Sequence, residues 1–92
     1  MLNQVVLVGK IHSLPTMEDK TLMVEVDQQF QNSDGSYEKM IFPIKLWYGI
    51  TKETISRYRI GTFVGIKGRL EMCDNEIVIA AERVSYITPA DP

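Results

Sequence analysis

The sequence predicts an all-β domain of five strands, with one short helix between the third and the fourth. Three observations predict it. Runs in which Val, Ile and aromatic residues recur at every second position dominate the chain, as half-buried strands require. Clusters of Gly, Pro, Asn, Asp and Ser punctuate those runs. Only one stretch, Ile50 to Arg59, carries residues at helical spacing.

The first strand spans Leu2 to Ile11, and its apolar run Val5-Val6-Leu7-Val8 before Gly9 suits a strand covered on both sides. Ser13-Leu14-Pro15-Thr16 ends it, because proline has no N–H to give a ladder. The second strand runs from Thr21 to Phe30, with Leu22, Val24 and Val26 alternating against Met23, Glu25 and Asp27. Asn32-Ser33-Asp34-Gly35-Ser36 is the clearest turn, and the third strand, Glu38 to Tyr48, returns antiparallel to the second. In the helix, Thr51 is the candidate N-cap, Ile50, Thr54 and Tyr58 share a face, and Gly61 ends it. The fourth strand, Thr62 to Met72, contains Gly65 and Gly68, which fit a barrel corner where the strand bends sharply. Asp74-Asn75 makes a tight turn into the fifth strand, Ile77 to Ile87. Residues 1–88 form the domain and 89–92 a short frayed tail. This is the element order of an OB-fold, a five-stranded Greek-key barrel. A small open β-sheet with one helix fits the same pattern.

Ninety-two residues hold one domain, and a chain this short buries only a modest share of its surface. A single cysteine, Cys73, leaves no internal disulfide, and a single histidine, His12, leaves no Cys/His zinc cluster. Self-association is the remaining way to add buried area. No apolar run approaches the roughly 20 residues that cross a bilayer, and Met1-Leu2-Asn3-Gln4 lacks a basic signal region. A cytoplasmic protein without a membrane segment is expected. No nucleophile–base pair, carboxylate dyad or phosphate-cradling loop stands out, so the chain reads as a binding protein with no catalytic residues, metal or cofactor. Net charge is −2, but whole-chain charge says little about one face. Many acids fall in turns, whereas Lys10, Lys45, Lys67 and Arg69 fall in or beside strands.

Leu2-Asn3-Gln4-Val5-Val6-Leu7-Val8-Gly9-Lys10-Ile11 resembles the opening strand of the bacterial single-stranded DNA-binding (SSB) proteins. Glu25-Val26-Asp27-Gln28-Gln29-Phe30 resembles the family segment that ends in an aromatic base-stacker. Phe42-Pro43-Ile44-Lys45-Leu46-Trp47 is similar to the third strand, and Gly61 through Leu70 to the fourth. The likeness spans about the first 70 residues, carried by the order and spacing of its motifs. It implies an OB barrel, non-sequence-specific binding of single-stranded DNA in replication, repair or recombination, and a homo-oligomer, dimer or tetramer, paired partly through the first strand. Three departures accompany it. Asp27-Gln28-Gln29 replaces basic residues before the aromatic, the last hairpin is cut to a two-residue turn, and the family's linker and acidic C-terminal tip are absent from this sequence. The chain thus reads as a short, tail-less relative. The departures keep open an alternative, an OB module like the tail-less primosomal proteins of replication restart, or an adaptor, acting mainly by touching other replication proteins.

Single strands are held by stacking platforms and a positively charged groove. The resemblance carries Phe30 and Trp47 onto the family's aromatics. Parity favours Trp47 over Tyr48: Phe42, Ile44 and Leu46 form one face of the third strand, and Pro43, Lys45 and Trp47 the other. A lone tryptophan in a small β protein also serves as a core anchor, which is the competing reading. Tyr37, beyond the Gly35 turn, is a further aromatic candidate, though loop tyrosines often only cover a neighbouring strand. Lys45 shares the face of Trp47. Lys67 and Arg69, two apart, point the same way on the fourth strand, and Lys10 follows Gly9 on the first; each is a candidate phosphate contact or else a solvated charge. Arg57 and Arg59 read as a solvated helix face, Cys73 as packing.

Overall fold

The computed structural model describes residues 1–27 and 31–87. Its strands are β1 (Val5–Ser13), β2 (Thr21–Asp27), β3 (Lys39–Lys45), β4 (Phe63–Cys73) and β5 (Glu76–Ile87), with helix α1 (Tyr48–Arg57) between β3 and β4. They close into a barrel in the order β1-β2-β3-β5-β4. Neighbours are antiparallel except β3 and β5, whose parallel pairs Ile44↔Ile79 and Lys45↔Ala80 seal the barrel. The architecture is that of an OB-fold, and the open sheet is excluded.

Alternation drives this closure. Leu22 and Val24 on β2, Ile44 on β3, and Val64 and Ile66 on β4 all turn inward and are almost wholly buried. Ile11, Leu46, Ile50 and Ile79 complete the core. The helix stoppers one end, burying Ile50, Thr51 and Thr54. Both buried hydroxyls are satisfied: Thr51 Oγ1 donates to the Trp47 carbonyl at 2.8 Å and Thr54 Oγ1 to the Ile50 carbonyl at 2.7 Å. The Tyr86 hydroxyl on β5 also bonds Thr54 Oγ1, and the Tyr86 ring stacks on Tyr58 with centroids 3.9 Å apart. These contacts fix the helix against the barrel. Burial pushes the Tyr86 phenol above its ordinary pKa of 10.0, with the Thr54 hydrogen bond opposing that shift.

Asn3 lengthens the first ladder beyond β1. Its side-chain amide donates to the Leu70 carbonyl at 2.9 Å and its side-chain oxygen accepts from the Leu70 N–H at 2.9 Å. The amide thereby imitates a backbone partner in line with the Val5↔Gly68 register. At the far end of β4, Asp74 and Asn75 both adopt positive φ (51° and 65°), the signature of a two-residue type I′ hairpin. The β4–β5 pair projects there as an arm, on which Leu70, Met72 and Ile77 are exposed.

Several sequence expectations are corrected. The helix begins at Tyr48, with Trp47 in the N-cap position, rather than at Ile50 with Thr51 as cap. Thr51 is internal because its hydroxyl bonds back one turn instead of opening the helix. The third strand ends at Lys45 rather than Tyr48, because the chain turns into the helix at Trp47 and Tyr48. The Val5–Val8 run is covered on one side only: Val6 and Val8 face outward, 73% and 60% exposed. Of the two strand glycines, Gly68 is the one under constraint. A Cβ there would run into the Ala80 carbonyl oxygen and lie 3.1 Å from its carbon, at the point where β4 and β5 slip register. Gly65 has no such close neighbour. Gly9 is under the same constraint, since a Cβ on it would strike the Glu25 carbonyl oxygen where β1 and β2 cross. The second strand is described to Asp27, so its expected continuation to Phe30 lies outside the described residues, as does the tail from Thr88.

Candidate nucleic-acid interface

The end of β3 positions a half-exposed tryptophan beside a lysine that makes no ion pair among the described residues. Ile44 and Leu46 are buried, Lys45 is exposed, and Trp47 is 45% exposed. Trp47 keeps extended backbone (φ −92°, ψ 168°), so its side chain continues the outward alternation from Lys45. Its indole lies beside Gly49, where a Cβ would sit 3.7 Å from Cδ1 and Nε1. One part of the ring is therefore covered by the first helical turn and the remainder is open to solvent. Tyr48 next to it is also exposed.

Strand register carries this surface sideways. On the outer side, Lys45 of β3 pairs with Ala80 of β5, and Ala80 pairs with Arg69 of β4. Lys45 and Arg69 thus stand two strand spacings apart, about 10 Å. Lys67 lies two residues from Arg69 on the same side of β4 and pairs with Arg83 of β5. Lys45, Arg69, Lys67 and Arg83 consequently form one cationic strip over β3, β5 and β4, with Trp47 at its β3 end. Among the described residues, Lys45, Lys67 and Arg83 make no ion pair, whereas Arg69 makes two. Its Nη2 reaches Glu71 Oε2 at 2.8 Å and its Nη1 reaches Glu82 Oε2 at 3.3 Å. The Glu71 hydrogen bond and charge, assisted by Glu82, push the guanidinium pKa higher still.

The other sequence candidates are not all brought here. Lys10 lies on β1, paired with Phe63, and its ammonium rests 5.4 Å from that ring's centroid. By register Val6 stands opposite Lys67, so Lys10 lies on the same outer side, four residues along β4 from Lys67, among the exposed Val6, Val8, Phe63 and Ile87. Tyr37 is exposed in the segment before β3. Phe30 lies outside the described residues. Arg83 is a cation that sequence parity missed. A β-bulge between Ala81 and Arg83 adds one residue to β5 and breaks the alternation on which that parity depends.

The outer side of β2 is electrostatically different. Glu25 stands at its centre, between Lys10 and Ile41 in the cross-strand register. It lies 3.4 Å from both His12 Nδ1 and Lys39 Nζ. Partial desolvation raises its carboxyl pKa, but the hydrogen bonds and charges of His12 and Lys39 outweigh that and hold it below the ordinary range. Lys39 is thereby engaged, and Asp27 adds a second acid to that side. No three His, Cys, Asp or Glu residues converge into a metal-binding group among the described residues. No helix among them is long and apolar enough to cross a membrane.

No protein-family model matches the sequence, and no curated protein sequence is significantly similar to it. Solved structures do resemble it. A deletion mutant of the single-stranded DNA-binding protein from Thermus aquaticus superposes with a TM-score of 0.72 at 17% identity, covering 97% of this chain. The chain spans about half of that protein, 52% of its length. The small single-stranded DNA-binding protein from Streptomyces coelicolor gives 0.66 at 12% identity, covering 95% of each chain. The Plasmodium falciparum SSB, solved with single-stranded DNA, gives 0.70 at 14% identity, covering 96% of each chain. At such identities the likeness is one of fold. The chain has the barrel and helix placement shared by these three proteins.

Proposed function

We propose that this chain binds single-stranded DNA without sequence preference, as a cytoplasmic protein of DNA replication, repair or recombination. The observation that carries the reading is the juxtaposition of a half-exposed indole with a strip of cations on one side of a closed OB barrel. Trp47 stacks on a base, and Lys45, Lys67 and Arg83 contact successive phosphates. Tyr37 and Phe30, flanking the turn before β3, are further stacking candidates, and Lys10 contributes charge from β1. No step requires bond chemistry, so the role is one of binding. The solved structures with this fold support the reading because their names record the same ligand. The motif resemblance to the bacterial SSB proteins supports the same reading.

A homo-oligomer forms part of the proposal. Val6, Val8, Phe63 and Ile87 make an apolar outer surface, and a groove of about 460 Å³ opens beside the first half of β1. There β1 makes no pair with β2 among the described residues, and that edge is the one proposed to pair with another strand. A second reading, an accessory module acting mainly by protein contact, is favoured by the β4–β5 arm, which exposes Leu70, Met72 and Ile77 beside Glu71, Asp74 and Glu76.

Trp47 is the sole tryptophan, so its fluorescence tests the reading directly. Titration with oligo-dT is expected to quench the emission, with affinity falling as salt rises. Unchanged emission together with no gel shift would reject DNA binding in favour of the protein-contact module.

A further inference from the structure

We infer that Glu71 and Glu82 form an electrostatic latch that withholds Arg69 from nucleic acid, so that a bound strand must displace two carboxylates to use the central cation of the strip. The inference rests on the proposed DNA-binding reading. Three observations carry it. By register Arg69 occupies the middle of the strip, across Ala80 from Lys45 and two residues from Lys67. It is also the one strip cation with acidic partners among the described residues. Its guanidinium is occupied on three nitrogens: Nε and Nη2 donate to Glu71 Oε2 at 3.1 and 2.8 Å, and Nη1 donates to Glu82 Oε2 at 3.3 Å.

The β5 bulge builds the latch. In a regular strand, consecutive residues point to opposite faces. The extra residue between the Gly68↔Ala81 and Lys67↔Arg83 pairs is Glu82, and both Glu82 and Arg83 are exposed on the outside. One position in the strand thus delivers a carboxylate to Arg69 and a free guanidinium beside Lys67. Glu71 approaches from the other direction, two residues along β4.

The latch is soft. All three side chains are well exposed, and ion pairs at such a surface are weak. A phosphate, like a carboxylate, presents two oxygens that a guanidinium can hold through parallel N–H bonds. The two acids therefore compete with the strand without sealing the site. They lower affinity and reduce the number of counterion-releasing contacts.

The test compares wild type, Glu71→Gln/Glu82→Gln, and the triple variant Arg69→Gln/Glu71→Gln/Glu82→Gln, titrated with fluorescein-labelled oligo-dT across a salt series. The double variant is expected to bind several-fold more tightly at low salt. Its log–log salt slope is expected to steepen by about 0.7, one further phosphate contact on a single strand. The triple variant is expected to return the slope to that of wild type. A double variant indistinguishable from wild type overturns the latch and leaves DNA binding standing. A gain that persists in the triple variant also overturns it, because removal of negative charge would then act without Arg69. Failure of every protein to bind rejects the DNA-binding reading itself, and the latch with it.

Discussion

Replacing Trp47 by alanine separates stacking from charge. The indole is 45% exposed, with its covered part against the first helical turn at Gly49, so it offers a platform for one base. A base stacked on an aromatic contributes about 1–3 kcal/mol. At roughly 1.4 kcal/mol per decade, Trp47→Ala should weaken binding about 5- to 150-fold. The substitution leaves the helix start intact, because Trp47 caps through its carbonyl, accepting from Thr51 N and Oγ1, and makes no side-chain cap bond. Halving the roughly 3–5 kcal/mol lost on truncating a fully buried aromatic puts the stability cost near 2 kcal/mol. The barrel should remain folded at room temperature, which a circular-dichroism melt checks. Binding is read by anisotropy of labelled oligo-dT, since the variant has no tryptophan. A dissociation constant within twofold of wild type, in a protein shown to be folded, would refute stacking at this ring and leave the cations to carry affinity.

Lys45→Gln should reduce the log–log salt slope by about 0.7 in the same assay, the loss of one phosphate contact, with little change in melting temperature. Gly68→Ala should lower the melting temperature by roughly 5–20 °C, from a strain of about 1–3 kcal/mol where its Cβ meets the Ala80 carbonyl; an unchanged melt would mean that the bulge relaxes freely. Glu25, Asp19 and Asp34 all have carboxyl pKa values below their ordinary 4.5 and 3.8. Their contribution is therefore complete above those ordinary values and is lost as pH falls through the depressed ones, so the melting temperature should decline below about pH 4.5. His12→Ala removes one partner of Glu25 and should weaken that decline. Tyr86→Phe should cost about 1 kcal/mol by deleting the bond to Thr54. It should also remove the alkaline destabilisation expected above pH 10, where the unfolded phenol ionises before the folded one.

The barrel was legible because its core obeys period two. Leu22, Val24, Ile44, Val64 and Ile66 are buried in the phase the alternation predicts, and Asp74-Asn75 takes the turn its composition demands. The helix start was not legible, because threonine reads as a cap whether its hydroxyl opens a turn or bonds back to the previous one. Thr51 does the second. The exposure of Trp47 and Lys45 follows the same parity, since extended backbone persists through the end of β3. Lys67 and Arg69 do point the same way, yet the acids around Arg69 come from Glu71 on its own strand and from Glu82, which a bulge turns outward. A bulge leaves no compositional mark in Ala80-Ala81-Glu82-Arg83, so Arg83 went unrecognised for the same reason that Glu82 did.

The distribution of charge resolves how a chain of net charge −2 can present a surface to a polyanion. Residues 69–82 hold four acids (Glu71, Asp74, Glu76, Glu82) against one base (Arg69), a net −3, so the rest of the chain is +1. The acidity is thus concentrated on the β4–β5 arm and at its root. Beyond a Debye length of about 8–10 Å, exposed charges are largely screened. Asp74 and Glu76, at the tip of the arm, act weakly on a strand lying over Lys45 and Trp47, while Glu71 and Glu82 at the root act directly on Arg69. The arm therefore sets where the cationic strip ends. The same acids that spoil the arm as a phosphate track rim its exposed Leu70, Met72 and Ile77, giving that surface the chemistry of a protein contact.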